Sequence, residues 1–250
     1  MKAMVLPSLV LRAGFLAGAG VRAEDAPATC DVPAYLLTTE SQLPKVADAI
    51  SERRALEILV IGSRSSTIAA SEDSAYPARL QAMLKERFPS TPVHVSVELQ
   101  NKRSAEEASA SFIKLMETKK PVLVIWQTGT VDAMRAIDPD EFRSAVTEGV
   151  AALQNGGADV ILMNPQYSPR TETMISVPPY LDNMRVVAQE HEIPLFDRFG
   201  IMRQWQDQGD FDLFSPTHGT GLAKRVHDCL ARALAKFLVD AAHLDPAQQN

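Results

Sequence analysis

The chain has 250 residues, 46 % of them hydrophobic and 22 % charged, with a formal net charge of −6. That length suits one domain with its own core once a targeting segment is set aside. The acidic balance excludes a surface built to displace counterions from nucleic acid.

Residues 1–23 read as an export signal. Lys2 gives the positive start, the run from Val5 to Gly20 is apolar apart from Ser8 and Arg12, and Val21-Arg22-Ala23 is an acceptable cleavage site. The mature chain is then expected to start near Glu24 and to work in the periplasm or as a secreted protein; the other reading is an anchoring or disordered N-terminus. No other segment reaches the roughly 18 to 20 apolar residues that span a bilayer. Residues 24–42 look like an irregular arm, 43–242 like the folded domain and 243–250 like a flexible tail. The two cysteines, Cys30 and Cys229, lie outside the signal. An oxidising compartment permits a bridge between them, tying the arm to the last helix; the alternative is two unpaired thiols.

Helical and strand signals then alternate. Leu43 to Arg54 carries Leu43, Val46, Ala47 and Ile50 at helical spacing. Glu57 to Ile61 is a short β-branched run that reads as a buried strand. Tyr76 to Phe88 is a predicted helix with Pro77 in its first turn. Pro92 to Leu99 is a second strand, alternating Val93, Val95 and Val97. Ala105 to Thr118 is a predicted helix, and Val122 to Trp126 the third and most central-looking strand. Pro139 to Gln154 is helical and stops at Asn155-Gly156-Gly157. Asp159 to Met163, helix Pro179 to Glu190, strand Ile193 to Phe196 and helices Arg198 to Gln206 and Leu222 to Val239 complete the series. Five strands alternating with helices imply a three-layer α/β/α, flavodoxin-like domain with a five-stranded parallel sheet. Its site belongs beyond the carboxyl ends of the strands, in loops 62–75, 100–104, 127–138, 164–178 and 210–219.

Three groups there can carry chemistry. Ser63, Arg64, Ser65, Ser66 and Thr67 follow the first strand; a serine among them is a nucleophile only if a base takes its proton. Their other role is a hydroxyl-rich turn that caps backbone N–H groups. His218, just before the last helix, titrates near neutrality and is the candidate base; His94, His191, His227 and His243 are poorer candidates by position. Gln127-Thr128-Gly129-Thr130-Val131-Asp132 follows the third strand, with Gly129 allowing close backbone approach and Asp132 either capping the next segment or touching substrate. No zinc-type spacing, phosphate loop or dinucleotide fingerprint occurs, so neither a metal nor a cofactor is expected.

These stretches, with Ile61-Gly62-Ser63, Tyr76-Pro77-Ala78-Arg79-Leu80, Leu162-Met163-Asn164-Pro165-Gln166-Tyr167, Leu195-Phe196-Asp197-Arg198 and Cys229-Leu230-Ala231-Arg232, resemble the SGNH/GDSL hydrolases, closest to an exported bacterial subgroup with a GSSST-like first block. The resemblance implies a serine that attacks an ester carbonyl. An oxyanion site is formed by the serine N–H, a glycine N–H and an asparagine side chain, and a histidine base is oriented by an aspartate three residues before it. Four positions depart from that pattern. The first block has one residue too many between Gly62 and Thr67: anchored on Gly62, Arg64 takes the nucleophile position; anchored on Ser-x-Thr, Ser65 does. Ala105 stands at the oxyanion glycine and Val131, which cannot donate, at the asparagine. Ser215 stands at the acid, for which Asp212 or Asp210 are substitutes.

Two functions follow from the resemblance. The first is an ester hydrolase acting on a small-molecule or glycan ester, with Ser65 or Ser63 and His218 catalytic and Ala105 N–H in the oxyanion site. Arg64, Gly129, Asp132, Gln166 and Tyr167 then line the substrate, beside Asn164 and Arg170. The second is a catalytically inactive SGNH-like binding protein of the periplasm, with Arg64, Lys102 and Arg103 as a basic rim. The oligomeric state is left open by either reading.

Overall fold

A computed structural model of the chain describes residues 29–214 and 219–244. The export-signal reading, most of the tail, and both Ser215 and His218 lie outside the described residues. Five strands form one all-parallel sheet: β1 (Leu56–Gly62), β2 (Val93–Leu99), β3 (Leu123–Gln127), β4 (Asp159–Met163) and β5 (Leu195–Phe196), in the order β2-β1-β3-β4-β5. Around it lie α1 (Pro44–Ser51), α2 (Tyr76–Arg87), α3 (Ala105–Ser109), α4 (Phe112–Lys119), α5 (Thr130–Met134), α6 (Pro139–Asn155), α7 (Pro169–Met174), α8 (Pro178–Glu190), α9 (Arg198–Gln208) and α10 (Gly219–Ala241). Among the described residues, no helix is long and apolar enough to cross a membrane.

Strand periodicity divides the core. Alternate residues of a strand face opposite sides, so Ile58, Val60, Leu123, Ile125 and Ile161 point to the layer of α1, α2, α9 and α10. Leu59, Ile61, Val124, Trp126 and Leu162 point to the layer of α3, α4, α6 and α8. β3 and β4 are buried at every position because both faces are covered. Each such side chain contributes about 1.5–3 kcal/mol relative to exposure. β2 is an edge strand, which is why its valines alternate with exposed His94 rather than forming a continuous apolar run.

Local chemistry shifts several boundaries. The helix expected over 105–118 is two helices. Ser111 donates its hydroxyl to the Ala108 carbonyl at 2.9 Å and accepts from Gln100 Nε2, so it serves local bonds that compete with a continuous ladder. The strand expected from Ile193 begins only at Leu195, because Pro194 has no N–H to give and supplies its carbonyl to Leu162 instead. α5 and α7 arise in stretches read from sequence as loops. Cys30 and Cys229 form a disulfide that joins the arm to α10 across 199 positions of chain.

The register aligns the strand ends. Gly62 stands opposite Leu99, Ile61 opposite Trp126, Gln127 opposite Met163 and Met163 opposite Phe196. Ser63, Gln100, Thr128, Asn164 and Asp197 therefore all leave the sheet at one edge. The chain passes from β1 to β2 on one side and then returns to β3 on the other, so the topological switch, and its crevice, lies between the ends of β1 and β3.

Candidate active site

The crevice holds a network of hydroxyls and amides. After β1 the chain turns through a single 3-10 turn, Arg64–Ser66, with Ser63 extended at its start. Ser65 Oγ accepts from Gln127 Nε2 at 2.8 Å and from Arg198 Nη1 at 3.2 Å. Ser63 Oγ lies 3.3 Å from Ser65 Oγ and 3.4 Å from Gln127 Nε2. Ser66 is buried; it donates to Gln127 Oε1 at 2.8 Å and accepts from the Tyr76 hydroxyl at 3.2 Å. Gly62 is required at the base of this turn, since a Cβ there would come within 2.2 Å of Ser66 Oγ.

Arg198 lies beneath the cluster, 1 % exposed. Its Nη1 donates to Ser65 Oγ and to Gln127 Oε1 at 2.9 Å, and its Nη2 to the Ser65 carbonyl at 3.0 Å and Gln166 Oε1 at 3.2 Å. Nε has no partner. The guanidinium sits 5.8 Å from the centre of the Tyr76 ring. Burial pulls Arg198 down to about 10 and pushes the Tyr76 hydroxyl up, the latter opposed by the Arg198 charge. Asp197 caps α9 by accepting from Gly200 N–H at 2.9 Å. Asn164 links β4 to this turn through Asp197 Oδ1 at 2.6 Å and Phe199 N–H at 2.8 Å.

The positions expected from the resemblance to form an oxyanion site, Ala105 and Val131, are engaged otherwise or carry no donor. Ala105 is the first residue of α3, behind a capping box made by Ser104 and Glu107. Its N–H donates to Asp132 Oδ1 at 2.9 Å. Asp132 is 1 % exposed and its Oδ2 has no hydrogen-bond partner among the described residues. Burial raises its carboxyl, opposed by the Ala105 N–H first among the backbone donors. Val131 is half-buried and carries no side-chain donor. Gly129 takes φ +94° at the start of α5, against Pro165 and Phe142, so its glycine is a backbone requirement.

Of the other expected site residues, Arg64 is exposed at the rim with Lys102 and Arg103. Lys102 gives its carbonyl to Arg135 at 2.7 Å. Gln166 is half-buried and engaged by Arg198, whereas Tyr167 packs edge-on against Phe199 at 5.2 Å. His227 is buried on α10 and accepts from the Tyr76 N–H at 3.0 Å; burial, then Arg198 and Arg79, hold it down to about 3. His94 is exposed on the edge strand, and His191 bonds Gln154 at 3.2 Å. Sequence reasoning named Gln127 and Arg198 only within longer stretches and gave neither a role at the centre of the site. The available signal was position alone: Gln127 is the last residue of β3, and Arg198 opens α9, separated from β5 by Asp197 alone. Among the described residues, no group of three or more His, Cys, Asp or Glu is placed to hold a metal ion. A cavity of about 340 Å³ opens beside the hydroxyl turn, lined in part by Ser66, Thr67, Glu72, Ala75, Val97 and Leu99.

Known structures share this architecture. The crystal structure of TesA superposes with a TM-score of 0.59 at 18 % identity, covering 74 % of this chain and 98 % of that one. Axe2, an acetylxylan esterase from Geobacillus stearothermophilus, gives 0.57 at 18 % identity, over 72 % and 93 %. A two-domain esterase active on acetylated mannans gives 0.66 at 14 % identity, over 85 % of this chain and 57 % of that one. At these identities the likeness is one of fold. No curated protein matches the sequence. The model of the Non-GDSL lipase-like family matches residues 29–244, from the arm through α10, and the chain belongs to that family.

Proposed function

We propose that the protein is an exported carboxylic-ester hydrolase that removes acyl or acetyl groups, with Ser65 as nucleophile and His218 as base. The observation that carries this reading is the pair of donors on Ser65 Oγ at the topological switch. A hydroxyl has two lone pairs and one proton. With both lone pairs occupied, the proton is what Ser65 has left to give, and its removal creates the third pair that attacks. Ser65 Oγ then bonds to the ester carbonyl carbon, its proton passes to His218, and the alkoxide leaves with that proton; water hydrolyses the acyl-enzyme by the same route. Asp212, whose carboxylate accepts the Phe214 N–H at 3.0 Å, takes the orienting role that Ser215 cannot. The neighbouring cavity, apolar at Ala75, Val97 and Leu99, suits an acyl group. Glycan acetyl esters are the proposed substrate class, by analogy with the esterases that share the fold. Turnover is slow by the family's standard, because loss of one oxyanion donor costs about 10²–10³ in rate.

A second reading, a non-catalytic binding protein, is favoured by one observation: Asp132 already holds the Ala105 N–H that an oxyanion would need. Hydrolysis of p-nitrophenyl acetate and butyrate by the mature chain separates the two. The enzyme reading expects release that Ser65→Ala and His218→Ala each abolish. Release no faster than from a heat-killed control, or release unaffected by Ser65→Ala, transfers the case to binding.

A further inference from the structure

We infer that Arg198 is the positioning residue of this site: its guanidinium holds Ser65 in place and favours negative charge on Ser65 Oγ, easing from beneath the loss of the Ser65 proton that the altered acid position supports less. The inference rests on the hydrolase reading above.

The first support is where the side chain spends its bonds. All four of its hydrogen bonds go to uncharged acceptors, two of them on Ser65 itself, the hydroxyl and the carbonyl. A buried cation is costly unless paired and hydrogen-bonded. Here no carboxylate accepts from it among the described residues, so this Arg departs from the usual buried ion pair. A side chain needed only for packing would be apolar. The second support is the amide it fixes. Gln127 Oε1 is held by Arg198 Nη1 and by Ser66 Oγ, which turns Gln127 Nε2 toward Ser65. Arg198 therefore determines both donors on Ser65 Oγ, one directly and one through Gln127. The third is electrostatic. A fixed cation 3.2 Å from an oxygen, out of water, favours the charged form of that oxygen.

The titratable groups around Arg198 are few. α2 presents Tyr76, whose hydroxyl is pushed up by burial. α10 presents His227, neutral because it is held down to about 3, with Arg79 of α2 acting on the same ring. The turn after β1 carries Arg64, which is exposed. Asp197, next in the chain, is bonded to Asn164 and Gly200 and lies 3.6 Å from Arg185. The loop after β4 brings the neutral Asn164 and Gln166, and carries Tyr167, whose hydroxyl burial pushes up and whose ring packs on Phe199. An alkaline limb in the activity is therefore assigned to residue 198.

The test uses the mature chain, its Ser65→Ala variant, and Arg198→Lys and Arg198→Gln. Hydrolysis of p-nitrophenyl acetate is followed from about pH 6 to 10, with circular dichroism as the fold control. Arg198→Gln is expected to lower kcat by roughly 10²–10³ while KM changes little. Arg198→Lys keeps a cation that burial drives below the ordinary lysine value of about 10.4. It is expected to recover much of the rate near neutrality and to lose it at least about one pH unit earlier than the parent on the alkaline side. A merely structural arginine would shift thermal stability and leave the pH profiles of parent and Arg198→Lys parallel; that result overturns the inference alone. If Arg198→Gln does not fold, the Arg198→Lys profile decides. Absence of any Ser65-dependent hydrolysis in the parent overturns the inference together with the hydrolase reading.

Discussion

Asp132 shows how a single buried carboxylate sets a local conflict. One oxygen accepts the Ala105 N–H at 2.9 Å, which fixes α3 against α5; the other has no hydrogen-bond partner among the described residues. Burial raises the carboxyl above its ordinary value. A carboxyl that binds its proton more tightly when folded favours the folded state below the unfolded pKa of about 3.9, and that contribution is lost as pH rises through the folded value. Asp132→Asn keeps the acceptor and removes the charge. Its urea-unfolding free energy is expected to stay within about 1 kcal/mol of the parent at neutrality and to fall less between acid and neutral pH. Asp132→Ala leaves the buried N–H unpaired and is expected to lose about 1–3 kcal/mol. At this scale the sequence was partly legible. It offered the serines after β1 and the loop after β3, because those hydroxyls and turn residues are contiguous. The roles of Gln127 and Arg198 were opaque, because their partners lie up to 133 positions away and only the assembled sheet unites them.

Between elements, close packing overrides propensity. α6 crosses β3 at Gly149, where a Cβ would lie 2.5 Å from the Trp126 ring, which is itself pinned edge-on by Phe112 at 4.9 Å. Alanine is the better helix former by about 1 kcal/mol. Overpacking a ring that cannot retreat costs typically 1–3 kcal/mol, about as much or more. Gly149→Ala is therefore expected to lower the thermal midpoint by a few degrees, opposite to what helix propensity gives. Helix identity was readable where apolar residues repeat over ten or more positions, as in α2, α6 and α10, and strand identity in short β-branched apolar runs such as β1 and β3. The short α5 and α7 were not, since five or six residues carry too little periodicity and these helices rest on contacts made elsewhere.

For the whole molecule, the Cys30–Cys229 bridge closes a loop of 199 positions and ties the arm to α10, the helix that follows His218. In the chain-entropy picture such a loop is worth roughly 5 kcal/mol, and measured losses run about 2–5 kcal/mol. Replacing both cysteines by serine is expected to shift the urea midpoint down by a corresponding amount, with the slope nearly unchanged or steeper; an unchanged midpoint rejects the stabilising role. The alternation of five apolar runs with helices determined, from sequence alone, a parallel α/β/α layering, because a strand apolar on both faces has to be covered on both sides. It also pointed to the carboxyl edge as the place of a site, the edge where the hydroxyl and amide cluster lies. The flavodoxin-like expectation carried with it the order that puts β1 between β2 and β3; only the tertiary structure decided that Ser65, Gln127 and Arg198 meet at that junction. Contacts of that kind depend on which strands become neighbours, a property of the assembled sheet that no local run of residues encodes.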